Sequence, residues 1–497
     1  MEEDKEQNSA VTQDDSENEL LDGNRQNDVI TVVLTADNHL GYAAFSQNPH
    51  KREHGRQRLR RAFQQVTDFA IGQGVDLFVQ AGDLFDTTNP DEEDRSFVAE
   101  RLAQLKQVGI RTFALGGIHD TPADAHVSQD AGGATGRALA PQISYARLGA
   151  LHYFQPGGNL PPAGARFIAP RQADGTATRS SYLQPVMVDV RNTLLAICGL
   201  GVLADQEGDP LAQVRVDSDI ERADIPLLIL HAPLETINAK AATRSADTRS
   251  YDGQNEHPYH PHAIGAMNGA DFDIVASVSN ASIANQTAFH YILAGYHHSH
   301  HQLHIGQSEV IVAGATQHID FNDLDDDPGF VFLGLSADGI RWCRHISVDT
   351  LKLRRLVINI AELWPQDFDT SDRGITDLIL QRLEPLRDED TLVQLRLEGE
   401  LTRSQYHQLD LNQVRHFGEE FCFALAIDDS HLSISSEESS LPGEEVSSAA
   451  LEERLSPREE LIALADEWIA AAQDERERRA LLATKEELLT ALSFRLT

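Results

Sequence analysis

Cysteine, methionine, tryptophan and lysine are all scarce in this 497-residue chain. The three cysteines, Cys198, Cys343 and Cys422, lie far apart and form no Cys-x-x-Cys pair, which excludes a disulfide framework and a thiolate zinc site and fits a reducing cytoplasm. Long apolar runs are missing too. The longest, near Leu194 to Leu203, is short and broken by glycine, so no membrane role is expected. The first residues lack the basic and apolar regions of a secretory signal. Positive charge is in deficit, with 41 Lys and Arg against 78 Asp and Glu and a formal charge of −37. Bulk charge therefore repels polyanions, and any nucleic-acid contact must be local. What is present is enough for several cores, since 41% of residues are hydrophobic and the length is about three times a 150-residue domain.

Residues 1–28 carry ten acids, two bases and no aromatic residue, the composition of a disordered acidic tail. From Val29 the pattern alternates: strands at VITVVLTAD, VDLFVQAGD and IRTFALGG, with helices over 56–73 and 92–108 between them. Such alternation predicts a layered α/β domain. Further strands are expected at 194–200, 226–233, 290–296, 309–315 and 329–335. The polar stretch 236–287 reads as a functional loop or an insertion. Beyond Val348 a small α+β module is expected, with a helix near 376–386 and an alternating strand at 392–401. Residues 433–456, rich in Ser and Glu, form a linker. Two helices, 457–473 and 475–494, should follow, with apolar stripes including Leu461, Leu464 and Trp468 on one and Leu481, Leu482 and Leu488 on the other.

The chemistry-bearing residues sit at strand ends: Asp37-Asn38-His39, Gly82-Asp83-Leu84-Phe85-Asp86, Gly117-Ile118-His119-Asp120, His231 and His298. Beyond the carboxyl ends of strands in an open α/β sheet, residues distant in sequence converge. Asp oxygens with imidazole nitrogens are a ligand set for Mn, Fe or Zn, ions that promote phosphodiester hydrolysis. A single His after a strand is a weak signal. Five clusters in this order are a strong one.

The order DxH, GDxxD, GxHD, strand-end His, GxxH resembles the calcineurin-like metallophosphoesterases. The wording ADNHLGY, AGDLFDTTNP and GATQHIDFND narrows the resemblance to SbcD-type nucleases, subunits of a bacterial DNA double-strand-break repair complex that work beside an SMC-like ATPase. The likeness is close over 29–345, looser over 346–432 as a capping domain, and extends to 457–497 as an ATPase-binding helical pair. It implies a four-layer α/β/β/α core and a Mn²⁺-dependent exonuclease acting on DNA, with a homodimer among its assemblies. Alternatives are a noncatalytic structural subunit and a phosphodiesterase on small nucleotides.

Carried over by motif, Asp37, His39, Asp83 and His298 match the ligands of one metal, with Asp83 bridging to a second. The second site would use Asp83, His231 and the positions now held by Ile118 and Tyr296. Ile118 has no electron pair to give, and a Tyr296 phenol must lose its proton to ligate well. Tyr296 and His300 are candidate substitutes, the latter through a two-residue shift in register. Asp120, His257, His260 and His262 are further candidates for the vacancy. His119 and Asp86 are the expected catalytic residues, with His119 placed to protonate the leaving oxygen. Lys51, Arg52, Arg56, Arg58, Arg60 and Arg61 form a basic strip just after the first motif, readable either as a grip on DNA phosphates or as a charged helix face.

Overall fold

The computed structural model describes residues 29–43, 48–122, 139–158, 167–168, 181–202, 208–212, 214–238, 276–319, 327–363 and 374–435, with Ile469, Arg478 and Lys485. The acidic tail, most of the 239–287 stretch including His257, His260 and His262, the linker beyond Ser435 and nearly all of the C-terminal helical pair lie outside the described residues.

Two six-stranded sheets face each other. The first sheet carries β1 (Ile30–Thr35), β2 (Leu77–Ala81), β3 (Arg111–Leu115) and β4 (His152–Phe154). β1, β2, β3 and β4 pair in parallel, and two late strands, β14 (Gly329–Ser336) and β15 (Gly339–Ser347), close its other edge in the order β15-β14-β1-β2-β3-β4. A small sheet holds β5 (Phe167–Ile168), β6 (Tyr182–Leu183) and β9 (Arg215–Asp217). In the second large sheet β7 (Val186–Val190), β8 (Thr193–Gly201), β10 (Ile225–His231), β11 (Tyr291–Gly295), β12 (His301–Ile305) and β13 (Ser308–Val312) run in the order β12-β13-β11-β10-β8-β7. Alternate residues of both sheets, among them Val32, Leu34, Val79, Leu115, Ile197, Ile229 and Leu293, fill the layer between them. Period-2 burial on two facing sheets is what makes this a sandwich rather than an open sheet.

The outer face of the first sheet is covered by α1 (Pro49–Gln73) and α2 (Glu92–Gln107), whose Leu59, Phe63, Val66, Val98 and Leu102 pack on Val33 and Phe78. α1 starts seven residues before the expected helix over 56–73. Asn48 accepts a hydrogen bond from His50 N, Pro49 occupies the first turn, and Gly74 ends the helix at φ 58°. The added turns carry polar residues, so periodicity alone did not reveal them. α3 (Gln142–Arg147) and α4 (Asn280–Asn285) are short; α4 helps to cover the second sheet, completing an α/β/β/α stack.

The third unit is a parallel sheet, β16 (Lys352–Asn359), β17 (Asp388–Thr402) and β18 (Cys422–Ser435), with α5 (Ile375–Leu383), α6 (Arg403–Gln408) and α7 (Leu411–Phe421) in its crossovers. This corrects the expected α+β organisation: parallel neighbours require helical crossovers, so the unit is α/β. Its first strand begins at Lys352, after β15 has ended at Ser347, and β18 runs three residues past 432. No helix among the described residues is long and apolar enough to cross a membrane.

Candidate metal centre

The parallel strands β1, β2, β3, β10 and β11 all end on the same side, and the residues that follow them meet there. The turns after β1 and β2 are tied together by main-chain bonds: Asp37 N donates to Gly82 O, Asn38 N and His39 N to Asp83 O, and Leu40 N to Leu84 O. Asp37, His39, Asp83 and Tyr296 all adopt positive φ, at 48°, 43°, 51° and 83°. Non-glycine residues pay for such a backbone, and that strain gathers where a site demands particular side-chain directions. Gly117 has to be glycine, because a Cβ there would run into the Asp83 carboxylate.

Three overlapping groups of ligand atoms, each within 4.8 Å of one another, emerge: Asp37 with His39 and His298, His39 with Asp83 and His119, and Asp37 with Asp83 and His231. Asp83 Oδ1 accepts from His119 N at 2.9 Å, and Oδ2 lies 3.1 Å from His231 Nε2. His231 Nδ1 contacts Ala81 O at 2.8 Å, so it carries a proton and donates it. Asp37 receives Tyr296 N through both oxygens, at 3.2 and 3.0 Å. His39 stacks edge-on to His119 at 4.9 Å and to His298 at 5.6 Å.

Crowding of buried charges shows in the acidities. Burial, reinforced by Asp83, raises the Asp37 carboxyl to about 6 against the pull of three imidazoles. Asp83 is also buried, yet His231 and His119 overcome this and hold it far below the usual carboxylate range. Burial would lower His231, but Asp83 dominates and lifts it to about 9. His39 too rises above its ordinary value, because the Asp86 hydrogen bond and the charges of Asp83 and Asp86 outweigh burial. Protons here do what a cation would do.

The residues present fit a divalent ion. His39 Nε2 is buried without a hydrogen-bond partner while its Nδ1 is engaged by Asp86. A buried imidazole nitrogen left open among carboxylates is costly unless something electropositive meets it. The second half of the constellation is different. The Ile118 side chain can donate nothing. The Tyr296 phenol, buried beside Asp83 and Asp37, is pushed well above the ordinary tyrosine range and stays protonated. His300 is turned elsewhere: its Nδ1 donates to Val312 O at 2.7 Å and its ring stacks on His345. Asp120 accepts from Gly117 N, Leu84 N, Phe85 N and the Gln142 amide, and is consumed as a tie between loops. Neither His300 nor Asp120 belongs to any of the ligand groups among the described residues, which corrects the expectation that either fills the vacancy.

His119 stands at the rim with 40% of its side chain exposed, where a substrate can reach it. Asp86, expected beside it as catalytic, lies 4.0 Å from His119 Nδ1 but 3.1 Å from His39 Nδ1. Sequence reading missed a buried brace under the site: Asn38 donates to Thr35 and Thr316 hydroxyls, and Gln80 donates to Gly82 O. The buried Gln142 was missed as well, and no pattern in its surroundings announces it.

The basic strip is largely occupied. Lys51 Nζ donates to Glu419 O and Cys422 O at the end of α7, and Arg58 pairs with Asp390 and Asp349. Arg56 meets Asp91 at 2.9 Å, and buried Arg60 bonds Asp94 at 2.6 Å. Arg52 and Arg61 are exposed, with no ion pair among the described residues. Four of the six cations therefore serve packing in this structure, and a phosphate would have to displace carboxylates or carbonyls to reach them.

Residues 30–170 match the family model described as calcineurin-like phosphoesterase. The DNA double-strand break repair protein Mre11 of Methanosarcina acetivorans is 39% identical over 92 residues, 18% of this chain and 14% of that protein. The protein of the same name from Saccharolobus solfataricus is 30% identical over 94 residues, 19% of this chain and 23% of its own. The chain thus spans less than a quarter of the length of these relatives. Among solved structures, a dimetal phosphatase from Danio rerio aligns over 65% of this chain and all of its own at 13% identity, with a TM-score of 0.30.

Proposed function

We propose, from the match of residues 30–170 to the calcineurin-like phosphoesterase model, that the chain is a metal-dependent nuclease that hydrolyses DNA phosphodiesters in double-strand-break repair. The observation that carries this reading is the buried, unpartnered Nε2 of His39, a ring whose ligand atoms gather with those of Asp37 and His298 and with those of Asp83 and His119. The relatives it matches over about a fifth of its length are named for double-strand break repair, and this chain takes its substrate class from them by analogy.

Asp37, His39, Asp83 and His298 would hold a Mn²⁺ ion, which would supply Lewis acidity toward the phosphoryl oxygen and lower the pKa of bound water. The chain's own groups do the rest. Asp83 anchors the set from its left-handed turn and keeps its charge. His119, reachable from solvent, would donate a proton to the departing sugar oxygen from Nδ1 or Nε2. His231, clamped between Ala81 O and Asp83, places positive charge where a second ion would otherwise sit. With Ile118 and Tyr296 in the other two positions, the site holds one ion.

The test is metal count and turnover on one preparation. Full-length protein with Mn²⁺ should cleave linear DNA or bis-p-nitrophenyl phosphate and bind one ion per chain. Ile118→Asn with Tyr296→His should raise the count toward two. A chain that neither binds Mn²⁺ nor cleaves with any divalent ion is a scaffold, not an enzyme. Docking of residues 457–497 on an SMC-like ATPase belongs to the same proposal; a chain truncated after residue 435 should keep Mn²⁺ binding and lose co-purification with that ATPase.

A further inference from the structure

We infer that Asp86 is a positioning residue of the metal centre, whose carboxylate fixes the His39 imidazole in the tautomer that presents a lone pair to a divalent cation. The inference rests on the pocket being a metal site and states how that site is held.

A carboxylate only accepts, so the 3.1 Å contact between Asp86 Oδ1 and His39 Nδ1 requires the proton on Nδ1. The lone pair of the neutral ring then lies on Nε2, the atom that is buried without a partner. That ring's ligand atoms gather with those of Asp37 and His298, and again with those of Asp83 and His119. The opposite tautomer would turn a proton toward the cation and leave two lone pairs facing each other at Asp86. Without the carboxylate both tautomers are open to the ring, and part of the binding free energy goes to selecting one.

The backbone holds Asp86 in place for this task. Asp86 N donates to Leu40 O at 3.1 Å, Leu40 pairs with Phe85 across the two turns, and the Leu84 and Phe85 amides are gripped by buried Asp120. His39 N returns a bond to Asp83 O. The two turns are therefore laced in register, and the 86-to-39 contact is a product of that lacing. Asp86 joins none of the ligand groups among the described residues, and its side chain is 28% exposed against 2% for His39. At 4.0 Å from His119 Nδ1 it lies at ion-pair distance from the rim imidazole, so its hydrogen bond goes to His39.

The experiment uses the full chain and Mn²⁺ alone, following the free-ion electron paramagnetic resonance signal. Asp86→Ala should weaken binding by roughly 10–100-fold. Asp86→Asn, whose amide oxygen still accepts the Nδ1 proton, should stay within a few-fold of wild type. In Zn²⁺-loaded wild type, ¹⁵N shifts should show His39 protonated at Nδ1 and metal-bound at Nε2, a readout that stands even if Asp86→Ala does not fold. Asp86→Ala binding as tightly as wild type overturns the inference while leaving the metal site intact. So does an Asn variant as weak as the Ala variant, which would assign the effect to charge, or coordination through Nδ1. Wild type that binds no Mn²⁺ overturns the metal reading and Asp86 with it.

Discussion

Two clusters of charge, one at the strand ends and one along α1, are equally conspicuous as sequence, and they differ in what surrounds their unpaired atoms: along α1 the Nε of Arg56 and Arg58 and the Nη2 of Arg60 lack a partner, but each belongs to a cation whose other nitrogens meet a carboxylate. Along α1, Lys51, Arg56, Arg58 and Arg60 each find an acceptor on a neighbouring element. At the strand ends a buried histidine nitrogen is left open amid two carboxylates, and the backbone is strained to put it there. A cation whose charge already meets a carboxylate serves packing, whereas a buried imidazole nitrogen open among carboxylates asks for a cation. A motif cannot show this difference, because it depends on what lies opposite.

The largest effect that would sharpen this contrast is at the rim. His119→Ala should lower phosphodiester turnover by roughly 10²–10⁴-fold while Mn²⁺ affinity stays near wild type; an equal loss of both would make His119 a ligand instead. Of similar size in free energy but opposite in kind is Arg60→Ala. Its removal strands Asp94, which is fully buried, at a cost of about 3–5 kcal/mol. The melting temperature should fall sharply, with turnover per folded molecule preserved.

A smaller, signed effect concerns pH. In the metal-free chain His231 is raised from 6.5 to about 9, so its pairing contributes fully below pH 6.5 and is lost as pH rises through about 9. The metal-free melting temperature should decline over that window, and His231→Asn should flatten the decline. Mn²⁺ affinity should run the other way, strengthening with pH as protons leave the ligands. The smallest effect is expected from Arg52→Ala with Arg61→Ala. Stability should change by less than about 0.5 kcal/mol, and if these two touch DNA, the slope of log affinity against log salt should drop by about 0.9 for each. No change in slope would leave α1 wholly to packing.

Much of this was legible beforehand, for physical reasons. Buried parallel strands are continuous apolar runs, so β2, β8, β10 and β11 stand out, and the polar residue after each marks the site. Asp37, His39, Asp83, His231 and His298 could be found this way because strand direction forces their convergence. The start of α1 was hidden by polar first turns. The third unit differs from the expected α+β module because a single alternating strand, β17, cannot tell parallel from antiparallel neighbours. Asp120 reads from sequence as a spare ligand because its four donors lie on other segments, and the tie between Asp86 and His39 is likewise invisible in the motif.

Helix α1 also has a mechanical meaning. Lys51 grips the end of α7, Gly55 lies against Phe423, and Arg58 reaches Asp390, so one face of the helix is fastened to the capping unit at three points spaced four and three residues apart. Further along the helix, Phe63 and Val66 rest on Val33 of β1, the strand that leads to Asp37. Three fixings resist both rotation and sliding. A load applied to the third unit is therefore passed through the helix into the strand beneath the candidate metal pocket.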